Sequence, residues 1–370
     1  MKISVVIGYK NRDTERVKNT LDSIAGQTMK DFEVIFIDYG SDEKYQAKIK
    51  PLVESYSFAR YYYNDTRGMP WNRSHALNTG IRLAKADYVL LGDIDWVYCP
   101  ETFDEMYRLV SEDVRVFCRN YLLSEHVPYD RSLYQNIPPG LTITHEKGGG
   151  GAHLIIKKQL EKIHGFDEYY CFWGVEDRDL YSRLDQFGIK SVGIDISKYP
   201  VFHQWHPEVS GGKRGFFPDR WWENMNIYYQ VNVNKLQRNN EYWGKLFSEN
   251  ERKVFNAKEV YFKINESGDW FHKGIVAFRL VEQLQLLENN ECLLIEISKR
   301  HYETSRKLKV LSKLISYISS NLILSKNQAG QFNAEQDITY IIWKLIKDSD
   351  LIKDYALAEE ENKTIVRLMH

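Results

Sequence analysis

Three short runs of aliphatic and β-branched residues constrain this chain more than any other feature: ISVVIGY (3–9), FEVIFID (32–38) and the YVLL within DYVLLGDID (87–95). Each is apolar on consecutive rather than alternate positions, the pattern of a strand covered on both faces. Segments of helical period lie between them. DTERVKNTLDSIAGQ sets Val17, Leu21 and Ile24 on one stripe, with Asp13 or Thr14 as N-cap, and ALNTGIRLAKA (76–86) reads as another helix. Strand, helix, strand, helix, strand predicts an open α/β sheet built on parallel strands. Such sheets take ligands at the carboxyl ends of their strands. GYKNR, DYGS and GDID stand at those ends, so three polar clusters are expected to share one crevice.

A length of 370 residues suggests two domains. Lysine plus arginine (50) balance aspartate plus glutamate (51), which excludes the basic excess of a general nucleic-acid binder; no nucleic-acid partner is expected. The cysteines at 99, 118, 171 and 292 form no CxxC pair and read as reduced thiols. The N-terminal apolar run is too short for a signal peptide, and no stretch of about 18 apolar residues occurs, so a cytoplasmic protein is expected. Near 235–245 the composition turns rich in lysine and glutamate and poor in glycine and proline. The expected domains are therefore 1–238 and a mostly α-helical 239–370. Within the latter, Leu308, Leu311, Ile315, Ile318 and Leu322 form an apolar stripe bordered by Arg306, Lys307, Lys309 and Lys313. It reads as bundle core, or alternatively as a surface for an anionic membrane or another chain.

Chemistry enters with the acids and histidines. GDIDWVY places Asp93 and Asp95 two apart at a strand end, where alternation would turn both toward one hard cation, magnesium or manganese. VFHQWHPE adds His203 and His206, and imidazole beside carboxylate favours manganese. FWGVEDRDLYSRL (172–184) gathers Glu176, Asp177 and Asp179 directly behind Trp173 and Gly174. Acids at a helix start complement the helix dipole. The other reading makes one of them a catalytic base and the indole the floor for a substrate ring. The run KGGGGAHLII (147–156) lacks the lysine and serine of a P-loop and reads as close backbone approach.

Taken together, SVVIGYKNR, LDSIAGQT, FEVIFIDYGSDE and the DxD resemble the family-2 glycosyltransferases of GT-A fold. WNRSHALNTG (71–80) and GGGGAHLIIKKQLEKIHGFDEYYCFWGVEDRD narrow the resemblance to the β-1,4-galactosyltransferase type and bacterial polysaccharide chain-building enzymes, over about residues 1–225. The resemblance implies an α/β GT-A catalytic domain, with a Rossmann-like open mixed sheet, ahead of the helical domain. Gly8, Tyr9, Lys10 and Arg12 would hold the uridine and phosphates, with Asp38 near the base and Trp71 and Arg73 beside them. Asp93 would approach the donor's ribose and sugar. Asp95 and His206 would bind the metal, with His203 as a further ligand where the galactosyltransferases have methionine. Asp177 falls on the catalytic base, Glu176 on an acceptor-hydroxyl partner, and Trp173 with Gly174 on the acceptor platform. The sequence departs from the pattern at Tyr39, where many relatives carry aspartate, and at Val175, which replaces the second glycine of WGGED.

The implied activity is inverting transfer of a hexose or N-acetylhexosamine from a UDP-sugar to a saccharide hydroxyl, in surface polysaccharide or glycan biosynthesis. Manganese or magnesium would be the cofactor. One carboxylate suffices as base for direct displacement, unlike the pair a glycosidase needs. The acceptor could be lipid-linked, with the C-terminal helices docking at the inner face of the plasma membrane or on a second copy. The alternatives are a nucleotidyltransferase and a sugar-binding module without turnover.

Overall fold

The computed structural model describes residues 1–144, 152–172, 174–207, 221–263, 270–298, 334–360 and 363–370. They fall into two compact units that divide between residues 251 and 252.

In the first unit, β1 (Ile3–Tyr9), α1 (Thr14–Ala25), β2 (Phe32–Tyr39), α2 (Glu43–Glu54), β3 (Ala59–Asn64), α3 (Arg73–Leu83) and β4 (Tyr88–Gly92) alternate along the chain. β1 pairs in parallel with β2 on one side and β4 on the other, and is buried nearly throughout. Its side chains divide by the strand period of two. Val5 and Ile7 join Val17, Leu21 and Ile24 of α1 on one face, while Val6 joins Ala76, Leu77 and Ile81 of α3 on the other. Consecutive apolar residues are needed because both faces carry a helix.

Asp13 caps α1, its carboxylate accepting the Arg16 N–H. α3 starts at Arg73, three positions ahead of the expected 76, because the Asn72 side chain accepts the His75 N–H and nucleates the first turn there.

Beyond β4 come β5 (Trp96–Tyr98), α4 (Thr102–Leu109), β6 (Val114–Phe117), β7 (Tyr121–Leu122), β8 (His153–Ile156), α5 (Lys157–Lys162), α6 (Glu176–Gln186), β9 (Lys190–Gly193), β10 (Val201–His203) and α7 (Trp221–Asn232). The main sheet runs β3-β2-β1-β4-β8-β6-β9. It is mixed, because β8 lies antiparallel to both β4 and β6. The architecture is GT-A-like. A second small sheet, β5-β10-β7, stands at the carboxyl end of β4.

β4 stops at Gly92, so residues 93–95 form a turn rather than the end of a strand over 87–95. The expectation that strand alternation turns both aspartates the same way is corrected here. The chain leaves the main sheet to pair with β10 instead.

Residues 239–251 were expected to open a helical second domain at 238/239. They form instead an irregular strap belonging to the first unit. Gly244 N–H donates to Glu168 (2.7 Å), Arg82 donates to the Trp243 carbonyl (2.7 Å), and Asn64 bonds both Lys245 and Phe247.

The second unit is also less helical than its composition suggested. β11 (Lys258–Lys263), β12 (Glu291–Ser298), β13 (Asp354–Glu359) and β14 (Lys363–Met369) form a sheet in the order β11-β12-β14-β13, beside α8 (Trp270–Gln285) and α9 (Ala334–Asp348). ECLLIEIS and KTIVRLM alternate with the period of strands, and lysine and glutamate occupy their solvent-facing positions. A buried Arg252–Asp354 pair (2.9 Å) closes its start, with Asp354 also accepting the Val254 N–H. The apolar stripe from Leu308 to Leu322 lies outside the described residues, as does the glycine run 147–151. Among the described residues no helix is long and apolar enough to cross a membrane.

α3 reaches β1 closely because Gly80 has no side chain: a Cβ there would lie 2.2 Å from Val6 Cγ1. Glycine to alanine inside a helix ordinarily stabilises by about 1 kcal/mol. Here the clash dominates, and Gly80→Ala should destabilise the protein by about 1–3 kcal/mol in urea unfolding. Adding Val6→Ala should recover part of that loss.

Candidate active site

The helix start that places Arg73 also creates the centre of the site. Its guanidinium grips Asp93 in bidentate fashion (Nε–Oδ1 2.8 Å, Nη2–Oδ2 3.1 Å) and reaches Asp177 with the remaining nitrogen (Nη1–Oδ1 3.0 Å). Arg73 is thus the shared counter-ion of the turn after β4 and the first turn of α6. Burial opposes its charge, but Asp177 and Asp93 outweigh that and hold the guanidinium firmly protonated. Glu176, also buried, has no such direct partner. Desolvation and the neighbouring Asp177 push its carboxyl up to about 7, against the pull of Arg73.

Two residues along, Asp95 meets both histidines. The β5–β10 pairing sets His203 opposite Trp96, and the Gln204 N–H donates to the Asp95 carbonyl (2.8 Å). His206 Nε2 and His203 Nε2 lie 3.3 and 3.7 Å from Asp95 Oδ2. These three make the one metal-type cluster among the described residues. Their hydrogen bonding fits a cation. His206 Nδ1 sits 2.9 Å from the Pro207 carbonyl and must donate to it, so its Nε2 lone pair faces a carboxylate oxygen. Two lone pairs so opposed call for a proton or a metal between them. Asp95 Oδ1 is buried and accepts no hydrogen bond, a further open donor atom. Two imidazoles and a carboxylate suit manganese better than magnesium.

Toward the end of β1, Gly8 lets α3 approach: a Cβ there would stand 3.0 Å from Ala76 Cβ and 3.4 Å from Cη2 of the Trp71 ring. Tyr39 meets Trp71 edge-on at 5.5 Å, and Lys10 Nζ lies 5.3 Å from the Tyr39 ring centre while donating to the Met69 carbonyl. His75 fixes this wall. Its Nε2 donates to the Lys245 carbonyl (2.9 Å), which leaves Nδ1 to accept the Tyr39 hydroxyl (3.1 Å). Tyr39 therefore builds an aromatic and cationic wall at the end of β2.

Other candidates stand elsewhere. Asp38 is fully buried; one oxygen accepts the Ser41 N–H (3.0 Å) and the other the Tyr61 hydroxyl (2.6 Å). Burial raises its carboxyl despite those bonds. Tyr9 is core, its hydroxyl donating to the Arg12 carbonyl (2.8 Å), so it shapes the loop that carries half-buried Arg12. Both side chains are buried. Trp173 lies outside the described residues.

The entry to α6 is contorted. Phe172 (φ 65°), Gly174 (φ 104°) and Val175 (φ 74°) all adopt left-handed backbone, and Val175 is β-branched. No acid caps the helix by side chain. Asp179, expected as a helix-start charge, is wholly buried between Arg183 and Arg238, each at 2.8 Å. Arg183 also donates to the carbonyls of Ile163, Gly165 and Leu236, tying α6 to its surroundings. Sequence reasoning missed this anchor, the Tyr39–His75 pair and the aromatic face of α7. Only the pairing of distant elements reveals them.

Comparison with known proteins bears on the same region. A sequence profile of Glycosyl transferase family 2 matches residues 4–173. Beta-1,4-galactosyltransferase 6 of Rattus norvegicus is 27% identical over 155 residues, covering 40% of this chain and 36% of the relative. An uncharacterized glycosyltransferase of Haemophilus influenzae is 28% identical over 193 residues, 50% of this chain and 62% of that one. The chain thus spans about a third of the length of the galactosyltransferases it matches. Among solved structures, GalNAc-T7 with UDP, GalNAc and Mn2+ aligns over 62% of this chain and 48% of its own, at 15% identity and a TM-score of 0.46.

Two outcomes follow from the α6 entry. A raised carboxyl favours folding below its unfolded value near 4.5, and that contribution is lost as pH rises toward 7, where the buried group must ionise beside Asp177. Glu176→Gln should therefore be more stable than wild type at pH 8, by up to about 3 kcal/mol, and the advantage should fall away on acidification and vanish by about pH 4 in urea titrations. Val175→Gly removes a buried side chain, which alone costs upward of about 2 kcal/mol, but relieves left-handed strain of about 1–3 kcal/mol. Its net change in unfolding free energy should stay within about 1 kcal/mol.

Proposed function

The N-terminal unit is a glycosyl transferase family 2 domain, and on that premise we propose that this protein is a metal-dependent, inverting glycosyltransferase. It would move a hexose or N-acetylhexosamine from a UDP-sugar to a hydroxyl of a saccharide acceptor. The observation that supports this most is the adjacency of two constellations at the end of β4: Asp95 with His203 and His206, and Arg73 with Asp93 and Asp177.

The residues divide the labour by position. Trp71 and Lys10, backed by Tyr39, wall the nucleotide end, with Gly8 packed beneath the Trp71 ring. Asp93, held by Arg73, presents carboxylate oxygens to donor hydroxyls. Asp95, His203 and His206 would hold manganese or magnesium. Bound there, the ion would neutralise diphosphate charge as the nucleotide departs.

Asp177 takes the proton from the attacking acceptor hydroxyl. Its ion pair with Arg73 fixes the carboxylate in orientation, so the base is aimed before the acceptor arrives. Glu176 stands beside it as acceptor partner, and at neutral pH it is balanced between the form that donates a hydrogen bond and the form that accepts one. With one base and departure from the opposite face, the product is inverted at the anomeric carbon.

The test is UDP release from a panel of UDP-sugars with manganese, for wild type and Asp177→Asn. Wild type should release UDP from one donor, and chelation should abolish the release. Asp177→Asn should lose at least about 100-fold in kcat while its donor Kd changes little. Failure to bind any UDP-sugar would overturn the reading and favour nucleotidyl transfer; binding without turnover toward any acceptor would favour a binding module.

A further inference from the structure

Two buried cations meet at Asp179. One of its oxygens accepts from Arg183 Nε and the other from Arg238 Nη2, each at 2.8 Å. Arg183 commits Nη1 to the carbonyls of Ile163, Gly165 and Leu236. Its remaining nitrogen, Nη2, and both Nε and Nη1 of Arg238 are buried and donate to nothing. Two further groups share this interior. Asp167 and Tyr170 are each 2% exposed, and Asp167 Oδ2 and the Tyr170 hydroxyl make no hydrogen bond, whereas Asp167 Oδ1 accepts the Tyr169 N–H (2.9 Å). Tyr228 of α7 closes over this segment, stacked on Tyr169 at 3.8 Å and edge-on to Tyr170 at 5.6 Å. The titratable and charged groups around Asp167 and Tyr170 are Asp179 and Arg183 of α6, Arg238, and Tyr228.

A buried polar atom left unmet costs the full desolvation of that group, and five of them in one interior call for a guest. Its chemistry follows from what the five can offer. Guanidinium nitrogens only donate, and a tyrosine hydroxyl can donate. Asp167 is the one group of the four residues with a free acceptor oxygen. Burial first, and the nearby Asp179 second, push its carboxyl up to about 6. Once it carries a proton, Oδ2–H donates as well, and all five atoms present hydrogens. The charges agree: with Asp167 neutral, Arg183 and Arg238 against Asp179 leave one positive charge away from water. A water molecule would bring as many donors as acceptors, whereas a compact anion brings acceptance alone, together with the missing charge.

We propose that Asp167, Tyr170, Arg183 and Arg238 enclose a site for one small monovalent anion, a halide such as chloride, taken up together with a proton on Asp167. Proton and anion enter as a neutral pair, so the interior keeps its charge balance. The bound ion would tie the segment before α6 to Arg183 within α6 and to Arg238 beyond α7.

The probe is sodium chloride exchanged for sodium gluconate at constant ionic strength, with the urea-unfolding midpoint of the full chain as readout. Chloride should raise the wild-type midpoint at pH 5.5, and its apparent Kd should weaken about 25-fold by pH 7.5, because one proton accompanies each ion. Asp167→Asn puts an N–H where the acid O–H would stand, so its chloride Kd should be the same at both pH values. Tyr170→Phe removes one donor and should weaken the Kd about tenfold at pH 5.5. In crystals, bromide should give an anomalous scattering peak beside Arg238 Nε and the Tyr170 hydroxyl. Equal midpoints in chloride and gluconate overturn the proposal and leave water as the partner of these atoms. A chloride effect that keeps its pH dependence in Asp167→Asn, or its full strength in Tyr170→Phe, places the ion elsewhere and overturns it too. Should Tyr170→Phe not fold, Asp167→Asn and the bromide peak decide.

Discussion

One half-buried cation organises the site. Arg73 balances Asp93 from the turn after β4 and Asp177 from the start of α6, two carboxylates that would repel each other without it. An ion pair removed from water repays its desolvation only when geometry is good and the other hydrogen bonds are made. The bidentate grip on Asp93 meets that demand, and the Asn72 cap sets the helix turn that aims the guanidinium. Glu176, one residue outside this balance, is stripped of water and stands next to Asp177, so burial first and that neighbour second raise its carboxyl.

The acids stand where they do because α6 is entered through strained backbone and held by ions deeper down. Left-handed conformations at Phe172 and Val175 persist only where surroundings over-determine them. The surroundings here are Asp179 with Arg183 and Arg238 below the helix, and the aromatic stacks of α7 beside it. Strain and anchor belong to one arrangement: the anchor fixes α6, and the bent entry turns Glu176 and Asp177 toward Arg73.

The sequence made the sheet legible because burial on both faces leaves an unmistakable run of apolar residues, and helix-start chemistry offered Asp13 or Thr14 as the cap, of which Asp13 is the one. It grouped Asp95 with His206 and His203 as a metal set through the family resemblance, not through any local pairing signal. Their meeting depends on β5 pairing with β10, and nothing local in either strand specifies a partner more than a hundred residues away. Asp38 illustrates the converse: an acid at a strand end looks available until Tyr61 and Ser41 are seen to occupy both oxygens. In the second unit, lysine and glutamate content masked strand alternation, because charged residues decorate the solvent side of helices and strands alike. Val175 was visible as a departure, but its backbone angle is a property of the loop and not of the residue.

The strap 239–251 bears on where the gene can be cut. Asn64, His75, Asn78, Arg82 and Glu168 are polar groups of the catalytic fold, and Trp243, Gly244, Lys245 and Phe247 cover or bond to them. An open reading frame ended at codon 238 would strip those partners away and leave His75 and Arg82 of α3, the helix that begins with Arg73, and Asn64 of β3 short of hydrogen-bond partners. One ended after codon 251 would carry the strap with it. Sequence composition draws the line at the first position, whereas hydrogen bonding draws it at the second.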